Sequence, residues 1–400
     1  MDLTLHPKHF MRKNIFQLLF FALIILSCSS KEEYKSGSFE SMVYKIDLSE
    51  PGVLASKPPM LSFLAEEIEY IPLETTKESL VKGNHRVYVS AKYIYTIAFR
   101  QILQFDRRDG TFIRELGQYG QGPNEYTATL PAVRSRDIDK PLVQTAKYIK
   151  RIDAETNQLE TVAKKMPSSQ GFAMLDTGIF VSFLPNVACK EKDRLVVYTE
   201  NGEEIKRYTN HLNCQLDDNS VVSFDHSEGQ FYYNRKDVFF KEVYNDTIFK
   251  VGKERLEKHA YFHLGDEGIP YSEKENLDDR IKWGKVIVTD TFESDDYIFF
   301  TYVFKNATFN GVFDKNKRIS FIPEKKADQN GIQDDIHGFL DFKPLTIGKE
   351  NEVVSYFYPE DILNWFEERE DIQIPEPLRD LKELKYDDNP VIAIVKLKEN

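Results

Sequence analysis

His259 and His263, in HAYFH, stand four residues apart and share one face of either a strand or a helix. That spacing suits a metal pair on a helix, but a zinc protease needs a Glu beside the first His, and Ala260 stands there. The pair reads as part of an ordinary strand. Gly117, Gly120 and Gly122 suggest a phosphate-cradling loop, which requires a helix N-terminus and a Lys or acidic partner. Here Pro123, Glu125 and Tyr126 follow and no helix does, so the stretch reads as a structural corner, with glycines at positive φ and Tyr126 packed inward. His226 and His337 neighbour Asp225 and Asp335, as surface charge pairs or as the lining of a channel. No Gly-x-Ser-x-Gly elbow and no zinc-spaced cysteine pair occurs. No catalytic residue, metal ligand or cofactor is therefore expected from motifs.

The front of the chain carries an address. Arg12-Lys13 precede an apolar run from Ile15 to Leu26, which ends at Ser27-Cys28. A basic region, a short apolar run and a small residue before the cleavage point make a secretory signal. The run is too short for a membrane span, which needs about 20 apolar residues. Ile25-Leu26-Ser27-Cys28 resembles a bacterial lipobox, whose cysteine becomes the acylated N-terminus, and Met11 is the expected start. Residues 1–27 are thus expected to be a lipoprotein signal peptide and 28–60 a polar tether, with the folded domain at 61–400. The net charge of −12 becomes −14 once Lys8, Arg12, Lys13 and Asp2 leave with the signal. That balance argues against a nucleic-acid partner, which would need a basic stripe. Cys189 and Cys214 remain; they could pair in an oxidising compartment, although a domain of this size needs no staple.

The elements that position these residues are short strands. Tyr93–Phe99, Gln101–Asp106 and Thr111–Leu116 follow one another, and Asp109-Gly110 closes the second link as a hairpin turn. Apolar residues lie on both faces of the first strand, as in a sheet sandwiched between two others. Similar meanders are expected over 133–166, 171–208 (turning at Asn201-Gly202), 223–251, 285–322 and 338–358, with the largest insertion at 252–281. Helical spacing marks Pro359–Arg369 and Glu376–Leu384 as an insertion near the C-terminus, and Val391–Leu397 returns as a strand able to pair near Ile68–Leu73. Aromatics at 13% suit such a β-rich core. The expected fold is all-β, a six-bladed β-propeller of four-stranded antiparallel blades.

A resemblance agrees. Phe105, Asp106, Gly110, Phe112, Ile113, Arg114, Gly117, then Gly120, Gln121, Gly122, Pro123, Glu125 and Tyr126 resemble the six-bladed, NHL-like propeller lipoproteins of Bacteroidetes. Ile68–Glu74, Asn245–Phe249 and Asp388–Lys398 resemble further stretches of that family. Lys31-Glu32-Glu33 behind Cys28 resembles the surface-export signal of such lipoproteins, and Asp246-Thr247-Ile248 their O-glycosylation motif, although its strand context favours a structural role. The resemblance implies an outer-membrane location, surface-exposed or otherwise periplasmic, and no settled activity. The expected function is a lipid-anchored binding or scaffold module for a protein, peptide or glycan. The alternative is a metal-dependent hydrolase or lyase in the central channel, like the calcium-dependent lactonases on six-bladed propellers. Replacing Cys28 with Ala is expected to release the protein from membranes or block its processing; unchanged fractionation and mass would contradict the anchor.

Overall fold

Runs of β-branched and aromatic residues, interrupted by Asp, Asn and Gly, build the chain as successive meanders. The computed structural model describes residues 43–49, 60–83, 85–98, 100–133, 136–216, 228–275, 284–322, 331–349, 351–369 and 373–398. Strand β1 (Tyr44–Asp47), the short helix α1 (Leu61–Leu64) and strand β2 (Ala65–Pro72) come first. Blade one is β3 (His85–Val89), β4 (Tyr93–Ala98), β5 (Gln101–Asp106) and β6 (Phe112–Glu115). The glycine corner adds a parallel two-residue pair, β7 (Gln118–Tyr119) and β8 (Glu125–Tyr126).

Blade two is β9 (Ala128–Val133), β10 (Leu142–Gln144), β11 (Tyr148–Asp153) and β12 (Gln158–Lys164). Blade three is β13 (Gln170–Asp176), β14 (Ile179–Phe183), β15 (Asp193–Thr199) and β16 (Glu204–Thr209). Blade four is β17 (Gly229–Asn234), β18 (Asp237–Glu242), β19 (Asn245–Val251) and β20 (Leu256–His263). Blade five is β21 (Ile287–Glu293), β22 (Tyr297–Phe304), β23 (Ala307–Asp314) and β24 (Ile319–Phe321). Blade six is β25 (Thr346–Ile347), β26 (Glu352–Phe357), β27 (Val391–Leu397) and β2, with helix α2 (Pro359–Glu367) and a 3₁₀ helix (Glu376–Glu383) between β26 and β27. The six-bladed propeller is what the sequence predicts. The inner strands β9, β13, β17, β21, β25 and β3 meet around the axis, and β4 bridges blade one to β9.

Two boundaries differ from the sequence expectation. Residues 28–60 read as a tether, yet β1 lies inside that stretch and pairs in parallel with β20, Tyr44 opposite Ala260 and Asp47 opposite His263. Ile46 and Leu48 explain the difference: both are buried in the core between blades four and five, and two apolar residues suffice once a partner edge is available. The insertion expected at 252–281 begins later, at 264, because β20 completes blade four.

Gly110 shows why its turn needs glycine. Its φ is +73°, and a Cβ would lie 2.0 Å from the carbonyl oxygen of Pro72 on the neighbouring blade.

The ring closes where β27 pairs antiparallel with β2, Val395 opposite Ile68 and Ile392 opposite Ile71. On β27, Val391, Ile392, Ile394, Val395 and Leu397 are all buried. Five such side chains at about 1.5–3 kcal/mol each give roughly 8–15 kcal/mol as an upper bound, comparable with the whole stability of a typical domain. Deleting Val391–Asn400 is therefore expected to abolish the cooperative thermal transition; a truncated protein melting at the original temperature would contradict closure by this strand.

Candidate functional site

Strand reversal sorts the connections onto two ends of the ring. One end carries mostly short turns such as 177–178, 200–203, 235–236, 294–296 and 315–318, with 134–141 the longest connection there. The other carries 73–84, 116–127, 184–192, 210–228, 264–286 and 358–390. Long loops on a rigid scaffold are where binding groups concentrate. Large apolar side chains follow the loops. Leu80, Tyr119, Tyr148, Leu212, Tyr358 and Tyr386 belong to the loop-bearing end and are 38–58% exposed. Arg100 lies 4.4 Å from the Tyr119 ring, and Tyr358 makes an edge contact with Tyr356, whose ring lies 4.4 Å from that of His85 at a tilt.

The glycine corner sits on this end, built differently from the expectation. Gly117 has φ +59°, and a Cβ there would lie 3.0 Å from the buried ring of Tyr126. Gly120 and Gly122 are not at positive φ. They are glycine because the Glu125 carboxylate folds back over them: a Cβ on Gly120 would lie 2.0 Å from Oε2, which accepts the Gly122 N–H at 2.6 Å. The ammonium of Lys150 on β11, itself buried, donates to the carbonyls of Gly122 (3.2 Å), Pro123 (2.7 Å) and Glu125 (2.9 Å). Asn157 accepts the Gly117 N–H at 2.7 Å from the next blade. The corner is a joint between blades one and two; Tyr126 packs inward as expected.

A polar seam between blades three and four supports the same end. Arg194 and Glu242, 5% and 2% exposed, pair at 2.9 Å. Removing two charges from water is offset only where every group is bonded; Tyr271 donates to Glu242 at 3.0 Å, and Asn210 accepts from Arg194 at 2.6 Å. Cys189 and Cys214 form a disulfide that ties loop 184–192 to loop 210–228 beside this network. Lys274 pairs with Glu228 (3.1 Å) and Glu275 (2.5 Å), both of which raise its pKa against the opposing effect of burial, whereas burial raises that of Glu228. Burial also pushes the Lys241 ammonium down to about 8, against Asp246 and Glu242.

The inner strands bring Arg86 and Asp290 into mutual electrostatic range. Burial lowers the Arg86 pKa, but Tyr88 and Asp290 outweigh it and the net shift is upward. Gln230 on β17 reaches Thr291 Oγ1 on β21 at 3.3 Å. Among the described residues no group of three or more His, Cys, Asp or Glu side chains is placed to hold a metal ion.

The structure separates the remaining sequence candidates. His259 and His263 lie on strand β20, as the residue pattern indicates. His259 bonds the fully buried Glu293 at 2.9 Å, Lys315 reaches the same carboxylate oxygen at 2.9 Å, and His263 is exposed. Burial opposes ionisation of Glu293, yet His259 and Lys315 prevail and its pKa is lowered. His337 packs against Tyr70 with ring centroids 5.9 Å apart, in the wedge between blades five and six, while Asp335 bonds Ser62. Asp246 and Thr247 lie on β19. Cys28, His226 and Asp225 fall outside the described residues. Lys150 and the Arg194 network were missed, because nothing in a lone Lys or Arg on a strand signals which blade it will face.

A six-bladed propeller with one elaborated end is thus the class that fold and site define. The chain belongs to the family described as a domain of unknown function, DUF4934, whose model matches residues 43–396. Among solved structures it is similar to a Bacteroides fragilis protein described as exported, 14% identical with a TM-score of 0.64, covering 89% of this chain and 100% of that one. It is also similar to the WD40 repeats of RRP9, at 11% identity and a TM-score of 0.40, covering 86% and 99%. A third likeness is to an oligogalacturonate lyase in complex with manganese, at 12% identity and a TM-score of 0.36, covering 83% and 98%. At such identities the likeness is one of fold. Comparison with curated proteins gives no match.

The corner generates an ordered expectation. Gly117→Val adds a β-branched residue at positive φ, a strain of about 1–3 kcal/mol, on top of contact with Tyr126. Gly120→Val need only displace the flexible Glu125 carboxylate, at the cost of the Gly122 N–H bond, about 1 kcal/mol. Calorimetry should therefore show Gly117→Val melting below Gly120→Val; the reverse order would contradict this account.

Proposed function

We propose that the mature chain is a lipid-anchored envelope propeller that binds a protein, peptide or glycan partner through its loop-bearing end. The observation that carries this reading is the concentration of long connections and exposed tyrosines on that end, where the opposite end has mostly short turns. Tyrosine offers a rigid amphipathic surface at low cost in side-chain entropy, which suits recognition. The address rests on the signal-like front of the chain, on Cys28 as the acylated residue and on Lys31-Glu32-Glu33 behind it. The Cys189–Cys214 disulfide supports an oxidising compartment. No helix among the described residues is long and apolar enough to cross a membrane. The corner residues from Gly117 to Tyr126 also support kinship with NHL-like propeller lipoproteins of Bacteroidetes. Their task here is structural, holding the loops at a fixed spacing.

The test is capture of partners from envelopes by the tagged, membrane-attached protein. Combined Tyr119→Ser and Tyr358→Ser should lower capture, because each removes an exposed ring at the loop-bearing end, whereas Ile319→Ser, on the outer strand β24, should leave it unchanged. Equal capture by all three proteins would overturn the proposed binding face.

A further inference from the structure

Blade six carries the longest excursion of the loop-bearing end, and helix α2 within it stands over a cavity of about 440 Å³. That volume lies within the usual range for small-ligand sites, about 300–1,000 Å³. The helix forms because Pro359 presets the first turn, and Glu360 and Asp361 complement its N-terminal dipole. Ile362 and Trp365 then fall on its buried face. Three rings make the apolar wall of the cavity. Phe339 meets Trp365 edge-on at 4.9 Å and Phe357 at 5.5 Å, and all three are at most 7% exposed. Asp361 and Asn364 line the cavity from successive turns of the helix, both exposed. Asp341 and Lys343 line it from the facing segment, and Glu368 and Arg369 from the end of the helix. The Arg369 guanidinium lies 5.1 Å from the indole ring. The indole N–H itself has no hydrogen-bond acceptor among the described residues, unusual for a buried Trp.

We infer that this cavity binds a neutral hexopyranose unit of a glycan. The inference rests on the binding role proposed above and names its ligand class. A pyranose ring has an apolar C–H face and a rim of hydroxyls, and so needs an aromatic wall beside carboxylates and an amide. The cavity offers that combination in Phe339, Phe357 and Trp365 against Asp361, Asn364 and Asp341. Carboxylates accept from sugar hydroxyls, and the amide both donates and accepts. Charge favours a neutral sugar: three carboxylates face two cations, so a uronate or phosphate would meet net repulsion. A purely apolar peptide side chain would leave that polar rim desolvated without partners. The Arg369 guanidinium, exposed at the end of the helix, lies over the same indole ring.

Trp283 and Trp365 are the two tryptophans of the chain, so a Trp283→Phe protein reports on the cavity alone. Its emission is followed during titration with cellohexaose, maltohexaose and mannohexaose, with hexagalacturonate, and with a tryptic peptide digest. A saturable change with at least one neutral oligosaccharide is expected, together with weaker or absent response to hexagalacturonate. Asn364→Ala and Asp361→Asn, each with an unchanged melting temperature, should weaken binding by about tenfold, the size of one lost polar contact. Silence from every neutral sugar, a response to the peptide digest alone, or undiminished affinity in both variants overturns the inference. If partner capture by the loop-bearing end persists while no neutral sugar binds, this inference fails and the binding role stands; loss of capture by wild-type protein defeats that role itself.

Discussion

Six blades remain a ring because strands from opposite ends of the chain lie side by side. The pairing of β2 with β27 joins residues 65–72 to 391–397; the other blades take their four strands from consecutive sequence, with β1 added at the outer edge of blade four. Each of those local blades buries its faces against two neighbours, so none is complete until the last gap is filled. Placing Ile68 and Ile71 opposite Val395 and Ile392 converts a curved row of meanders into a closed array without free inner edges. The joints between blades are then polar as well as apolar. Lys150 holds three carbonyls of the corner, and Arg194 holds Glu242 across the next seam but one.

Rigidity from closure is what allows one end to be elaborated. The short turns show the least a blade requires, whereas the opposite connections have grown a disulfide-tied loop pair, an insertion after β20 and a helix in blade six. These additions rest on polar contacts, the first two of them at buried groups. Tyr271 in the insertion reaches Glu242, Lys274 is held by two glutamates, and Tyr386 donates to Glu367 across the blade-six excursion. A loop held by such bonds presents its tyrosines in one arrangement, which would lower the ordering cost of the proposed recognition.

Much of this architecture was legible in the residues. Asp109-Gly110 and Asn201-Gly202 mark turns that do require positive φ, and the both-faces-apolar pattern of β4 announced a sandwiched sheet. Val391–Leu397 could be matched to the front of the chain from its apolar run alone. Other features depend on partners distant in sequence. Tyr44–Asp47 is too short to declare itself a strand, and only the waiting edge of β20 makes it one. Gly120 and Gly122 look like backbone-driven glycines, but it is the Glu125 side chain that forbids a Cβ there. The cavity of blade six combines the segment 339–343 with α2, which sequence spacing cannot bring together.

The added strand β1 also determines how the molecule meets mechanical load. Because β1 runs parallel to β20, a pull entering at Tyr44 along the strand axis shears the whole Tyr44–Asp47 ladder at once, whereas a sideways pull peels it bond by bond. Either way, β1 lies ahead of β2 in the chain and takes the force first. It can yield while the closing pair of the ring stays under no tension. Resistance to forced opening is set by the rate at which the loaded element ruptures. A four-residue strand in that position acts as a sacrificial link, so a pull on the front of the chain is spent on β1 before it reaches the ring.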